Sequence, residues 1–227
     1  MSVAVVTGAS RGIGRATALG LARRGADLAL VGRPSPALHE TLRALSAQGV
    51  RAEAFETDLA DPEPLETLAR RVLERFGTPH ALINNAGLIE RASVEETTPE
   101  SWDRQLAVNL RAPFLLTRAL LPALRAAGRG RIVNVGSISG TLGCARAAAY
   151  AAAKWGLIGL TKSLAEELTD TGVSVVAVLP GSVDTGMLEG SGFEPRMTPE
   201  EVASTLVHFA LDAPLAHNGG VIEMFGT

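Results

Sequence analysis

Cysteine occurs once in this chain of 227 residues, at Cys144. No intrachain disulfide can form, which fits a reducing compartment. Tyrosine also occurs once, at Tyr150. Four histidines, His39, His80, His208 and His217, are scattered without metal-ligand spacing, so no metal site is expected. The net charge is −3, and nucleic-acid binding, which calls for a basic footprint, is not expected. No apolar run reaches the roughly 18 residues of a membrane span. The first apolar run ends at Thr7-Gly8 with no basic stretch before it, so a signal peptide is not expected either. These absences leave a soluble, cytoplasmic chain as the expectation.

What is present is an ordinary globular balance of 46% apolar and 20% charged residues. At about 150 residues per domain, the length allows one domain or two. The composition never shifts enough to mark a boundary, so residues 1–227 are read as one domain. Short aliphatic runs read as strands: "VAVVT" (3–7), "LALV" (28–31), "AEAFE" (52–56), "ALIN" (81–84), "RIVNV" (131–135), "VSVVAVL" (173–179) and "GVIEMF" (220–225). Most are almost continuously apolar, as in strands buried on both faces. Between them lie helical patterns such as "IGRATALGLARRG" and "PEPLETLARRVLERFG", with Gly25, Gly49, Gly77 and Gly172 at C-cap positions. This alternation predicts an α/β fold, a parallel sheet with helices on both faces. The least regular segment, Gly186–Met197, follows a strand's C-terminal end and could be a surface loop or a substrate lid.

"TGASRGIG" (7–14) follows the first strand and opens the first helix. Its glycines, at Gly8, Gly12 and Gly14, permit a tight turn and let a pyrophosphate approach the helix N-terminus. Gly8, Ser10, Arg11, Gly12, Ile13 and Gly14 are therefore candidate dinucleotide contacts. In NAD-binding chains an acidic residue about 20 positions on holds the ribose hydroxyls. Here that place carries Gly32-Arg33, with Arg11 as a second nearby cation. Guanidinium groups suit a 2′-phosphate, so NADP(H) is favoured over NAD(H). Two further strand ends are polar: Asp58-Leu59, placed to meet the adenine, and "NNAG" (84–87), whose Asn85, Ala86 and Gly87 would form the cofactor wall.

"GRIVNVGSIS" ends a central strand with Ser137 just beyond it. Twelve residues separate Ser137 from Tyr150, and Lys154 follows four positions later on the same helix face. A hydroxyl, a phenol and an ammonium suit carbonyl reduction, in which the ketone oxygen gains a proton as hydride reaches its carbon. Lowering a phenol's pKa by three units needs about 4 kcal/mol, which a cation about 4 Å away supplies at an effective dielectric near 20. Lys154 is thus expected to depress Tyr150. The alanines of "AAAYAAAKWG" (147–156) read as clearance for cofactor and substrate. Asn109 precedes "LRAPF"; Pro113 has no N–H for its carbonyl, which could hold a water near Lys154, or Asn109 could be a kink or cap residue. Gly156 and Gly159 could allow close approach of a second helix or serve internal packing.

Together "TGASRGIG", "NNAG", Asn109, Ser137, "YAAAK" and "PGSVDTGM" (180–187) resemble the classical short-chain dehydrogenases/reductases over most of the chain, in that family's order. The resemblance is nearest to the 3-oxoacyl-carrier-protein reductases. It implies a Rossmann-type, doubly wound, seven-stranded sheet and assembly into homodimers or homotetramers. It implies Tyr150 as general acid, Lys154 as pKa modulator and nicotinamide-ribose ligand, Ser137 orienting the carbonyl, and Asn109 supporting a proton relay. Pro180, Gly181, Val183 and Thr185 match the nicotinamide-side segment. The expected substrate is a 3-oxoacyl thioester, with a small ketone, aldehyde or secondary alcohol as the runner-up. "LIERAS" after "NNAG" departs from the usual segment of those reductases. No arginine clamp for a carboxylate is evident, Arg91 and Arg146 being the cations to watch. A non-catalytic nucleotide sensor on the same fold is the alternative from another class; the intact Ser, Tyr and Lys count against it.

Overall fold

Alternate side chains along each strand feed two separate cores, and this sets the architecture. In the computed structural model, which describes residues 2–226, seven parallel strands form one sheet. They are β1 (Val3–Thr7), β2 (Asp27–Gly32), β3 (Ala52–Glu56), β4 (Ala81–Asn84), β5 (Gly130–Val135), β6 (Val173–Pro180) and β7 (Val221–Met224), in the order β3-β2-β1-β4-β5-β6-β7. The helices are α1 (Gly12–Arg23), α2 (Pro36–Ser46), α3 (Glu63–Phe76), α4 (Pro99–Leu106), α5 (Ala112–Ala126), α6 (Ala148–Glu167) and α7 (Pro199–Leu211). Ala4, Val6, Leu28 and Leu30 pack with Leu21 of α1, Leu38 of α2 and Leu206 of α7. Val3, Val5, Ala29 and Val31 face the other way, toward Leu65 of α3, Leu116 of α5 and Leu164 of α6. The doubly wound α/β expectation therefore holds, and each expected strand lies within two residues of an observed one. No helix among the described residues is long and apolar enough to cross a membrane.

The chain runs outward from β1 to β3, then returns to place β4 on β1's other side. That reversal opens a crevice above the C-terminal ends of β1 and β4, where this architecture binds ligands. Neighbouring strands β4 and β5 are tied by buried amides: Asn84 Nδ2 donates to Asn134 Oδ1 at 2.9 Å. Asn134 Nδ2 in turn donates to Thr161 Oγ1 of α6 at 2.9 Å. Buried polar bonds of this kind fix geometry because the groups have no water to fall back on. They anchor to the sheet the helix that carries Tyr150 and Lys154.

Before α5 the helix adopts a π turn, Ala107–Arg111, with the Ala112 N–H donating to Ala107 O. The irregularity sits where Pro113 lacks an N–H for the ordinary ladder.

Candidate active site

A cleft of about 1030 Å³ runs over the C-terminal ends of the strands. Every candidate cofactor residue lines it: Gly8, Ser10, Arg11, Gly12, Ile13, Gly14, Arg33, Asp58, Leu59, Asn85, Ala86, Gly87, Pro180, Gly181, Val183 and Thr185. Ser137, Tyr150 and Lys154 line it as well.

The glycine loop is packed as a cradle. Gly8 has φ +67°, and a Cβ there would lie 2.9 Å from Ala86 Cα. A Cβ on Gly14 would lie 2.2 Å from the Gly8 carbonyl oxygen, a contact that cannot be accommodated. The Thr7 hydroxyl accepts from the Asn85 and Ala86 N–H groups at 2.9 and 3.0 Å. Asn85 Nδ2 donates to Thr7 O at 2.9 Å. The loops after β1 and β4 thus brace each other, leaving the N-terminus of α1 open to the cleft. A bare backbone at a helix N-terminus fits a dinucleotide pyrophosphate.

Just beyond the end of β2, Arg33 is exposed and lines the cleft. Arg104 donates to Asp58 at 3.0 Å. The Asp58 carboxyl also accepts the Ala60 N–H at 2.9 Å. That backbone bond, with Arg104 and the Arg33 charge, holds it below the usual carboxylate range. Arg11 reaches elsewhere: its Nη1 lies 3.6 Å from where a Cβ on Gly186 would sit. Of the two arginines, Arg33 is the one that lies at the end of β2.

Ser137 caps a short 3-10 turn, Ile138–Gly140, its Oγ accepting the Ser139 N–H at 3.1 Å. Tyr150 is 7% exposed and Lys154 3%. Lys154 Nζ donates to Val135 O at 2.8 Å and sits 5.5 Å from the Tyr150 ring centroid. The expectation that Lys154 depresses the phenol is not met in this geometry. Burial raises Tyr150 above its ordinary value, against the opposing pull of the Ser137 hydroxyl and the Arg91 guanidinium, while Cys144 adds to the rise. Burial also lowers Lys154, to about 8. Desolvation exceeds mutual attraction because both groups lie deep in the fold and the ammonium is turned onto a carbonyl.

Asn109 and the alanines lie behind the cleft wall, which corrects the clearance expected of the alanines. Asn109 is fully buried and does not line the cleft. Its Nδ2 donates to Leu88 O at 2.7 Å and Gln105 O at 2.8 Å, and its Oδ1 accepts the Leu88 N–H at 3.2 Å. Its side chain fastens the loop after β4 from behind. Nor do Ala147, Ala149 or Ala153 provide clearance: all three are buried, and none lines the cleft. They let α6 lie close to its neighbours. Gly156 does the same, since a Cβ there would come within 2.8 Å of Leu110 Cδ2, whereas Gly159 faces open space.

The segment after β6 lines the cleft through Gly186, Met187, Leu188 and Phe193, so it forms a wall of the site. Its base is closed by the Asp184 N–H donating to Met197 O at 2.9 Å. Arg104 also lines the cleft, although nothing in the local sequence marks it as a cleft residue. Arg104 is 46 positions from its partner Asp58, a separation no local pattern reports.

A family model described as short chain dehydrogenase matches residues 2–194. The chain is 36% identical over 228 residues to a 3-oxoacyl-[acyl-carrier-protein] reductase of Synechocystis, covering 96% of this chain and 92% of that protein. It is 37% identical over 237 residues to the cis-4-hydroxycyclohexanecarboxylate dehydrogenase of Sinomonas cyclohexanicum, covering 99% and 95% of the two chains. It is 38% identical over 187 residues to an Acinetobacter cyclohexanol dehydrogenase, covering 82% and 74%.

Proposed function

The chain belongs to the short-chain dehydrogenase family, and on that premise we propose that it is an NADP(H)-dependent enzyme interconverting a carbonyl and a secondary alcohol. The observation that carries this reading is the meeting of Ser137, Tyr150 and Lys154 in one cleft with the glycine cradle. When bound, the nicotinamide would supply or accept the hydride. Gly8, Gly12 and Gly14 would admit its pyrophosphate to the N-terminus of α1, and Pro180, Gly181, Val183 and Thr185 would flank its nicotinamide end. In the reducing direction the Tyr150 hydroxyl gives its proton to the substrate oxygen. A phenol raised by burial is held protonated, ready to act as the acid. Ser137 orients that oxygen by donating to it. The Lys154 ammonium stabilises the phenolate left behind and binds the cofactor ribose. Asn109 serves as a positioning residue, through Leu88.

For the coenzyme, Arg33 just beyond the end of β2 supports NADP(H), since its guanidinium would pair with a 2′-phosphate there. The wild type should bind NADPH at least about tenfold more tightly than NADH, as expected for loss of a charge-assisted pair. Arg33→Asp should reverse that order. Fluorescence titration of both reduced coenzymes measures it; tighter NADH binding by the wild type would overturn the assignment.

Two substrate classes stand. The Synechocystis relative supports a 3-oxoacyl thioester. The two cyclohexanol-type relatives support a small ketone or alcohol, and the apolar wall formed by Leu88, Ile89, Met187 and Phe193 suits such a carbon skeleton. NADPH consumption against a panel of both, with Tyr150→Phe as control, separates them.

The α4–α6 side leaves Trp102, Phe114 and Trp155 exposed, Trp155 by 54%. Large aromatic side chains on adjacent helices are characteristic of a covered surface, so a homodimer or homotetramer is proposed through this face. Light scattering should give a mass at least twice that of one chain, and a monomer alone would refute it.

A further inference from the structure

The segment following β4 carries a cation fixed at the substrate end of the cleft. Arg91 lines the cleft together with Tyr150, Ser137 and Cys144. Its backbone is pinned on both sides. The preceding Glu90 N–H donates to Oε1 of the buried Gln105 at 3.1 Å. The following Ala92 N–H donates to Arg146 O at 3.0 Å, forming an isolated parallel bridge with the stretch that leads into α6. Arg91 is thereby held beside the helix that bears Tyr150.

Its guanidinium makes no hydrogen bond or ion pair with any described residue, although the side chain is half-buried. The obvious local partners are taken. The Glu90 carboxylate is engaged by the Ser101 hydroxyl. Glu96 is held by Ser93 and by Arg146, which pairs with it at 3.4 Å and does not line the cleft. Of the other cleft cations, Arg104 is held by Asp58 and Lys154 by Val135 O, while Arg11, Arg15 and Arg33 are exposed. A half-buried guanidinium on a pinned backbone, without a counter-charge, is open to an anionic ligand. Its planar fork matches a carboxylate.

We infer that Arg91 binds a carboxylate of the substrate, and that the enzyme acts on an oxo acid and its hydroxy acid: a carbonyl at Tyr150, an apolar carbon body, and an acid group at Arg91. This inference rests on the reductase reading and narrows its substrate class. Leu88, Ile89, Met187 and Phe193 line the intervening walls. The Arg91 charge already acts at the reacting end, pulling the Tyr150 phenol downward against burial.

The test uses the full chain and matched pairs: cyclic and linear oxo acids, each beside its methyl ester, with 3-oxoacyl thioesters as a third arm. NADPH oxidation is measured for the wild type, Arg91→Gln and Arg91→Lys. For the best pair the wild type should prefer the acid over the ester by at least about tenfold in kcat/KM, the range expected for a charge-assisted pair. The preference should fall to near unity in Arg91→Gln, chiefly through KM, and be partly restored in Arg91→Lys. The thermal midpoint of Arg91→Gln should stay close to that of the wild type, because Arg91 bonds to no described residue. Equal use of acid and ester by the wild type, a preference that survives Arg91→Gln, or use of thioesters alone would each overturn the inference while leaving the reductase reading intact. NADPH consumption no faster than with Tyr150→Phe on every arm would instead remove the reductase reading, and this inference with it.

Discussion

Tyr150→Phe is expected to lower kcat for carbonyl reduction by about a thousandfold, within the usual reach of general acid catalysis, while NADPH still binds. The phenol oxygen is the only atom removed, and its neighbour among the described residues is the Ser137 hydroxyl. Tyr150 is buried, so the ring's packing survives in phenylalanine. The ketone oxygen would then have no acid in place as hydride arrives. Coenzyme titration should show near-wild-type affinity, because the glycine cradle and the Arg33 edge lie elsewhere in the cleft. Equal NADPH consumption by the wild type and Tyr150→Phe would sink the proposed mechanism. Silence of both, with NADPH bound, would favour a nucleotide sensor.

The second large effect separates stability from activity at Lys154. Burial lowers this lysine from 10.5 to about 8. Between these values the unfolded chain binds more protons than the folded one, so stability rises with pH across that window. Below about pH 8 the wild type carries the full cost of a buried ammonium, about 3 kcal/mol by the size of the shift. Lys154→Met removes that cost but leaves Val135 O without its donor, which costs about 1–3 kcal/mol. The wild type should therefore gain about 3 kcal/mol on the variant between pH 8 and 10.5. Urea unfolding at stepped pH measures this difference, and a flat difference would show that Lys154 does not titrate there. Activity should fall at least about a hundredfold in the variant, since the phenolate formed in each turnover loses its cation. Such a residue, costly to the fold and retained at the reacting centre, is the pattern of a functional site.

Much of this molecule can be read locally. Val3–Thr7, Ala52–Glu56 and Ala81–Asn84 stand as strands with the bounds their aliphatic runs suggest. Gly77 closes α3 with φ +74°, a backbone that residues with a Cβ seldom adopt. The four-residue step from Tyr150 to Lys154 places both on one face of α6 because the helix repeats every 3.6 residues. Other features escape any local reading. Asn109 reads as a relay or a cap residue, and only the tertiary contacts show its amide fastening Leu88 and Gln105. The alanines around Tyr150 read equally as clearance or as close packing, and only the neighbours of α6 decide.

By itself, then, the sequence determined the order of strands and helices, the glycine cradle, and the trio Ser137, Tyr150 and Lys154. Each rests on periodicity, spacing or the absence of a side chain, which are properties of short stretches. Tertiary structure alone decided that burial raises Tyr150 despite the nearby lysine, and that Arg146 is paired with Glu96 while Arg91 pairs with none of the described residues. Desolvation and ion pairing depend on groups distant along the chain, and those meet only once the sheet has brought its strand ends together.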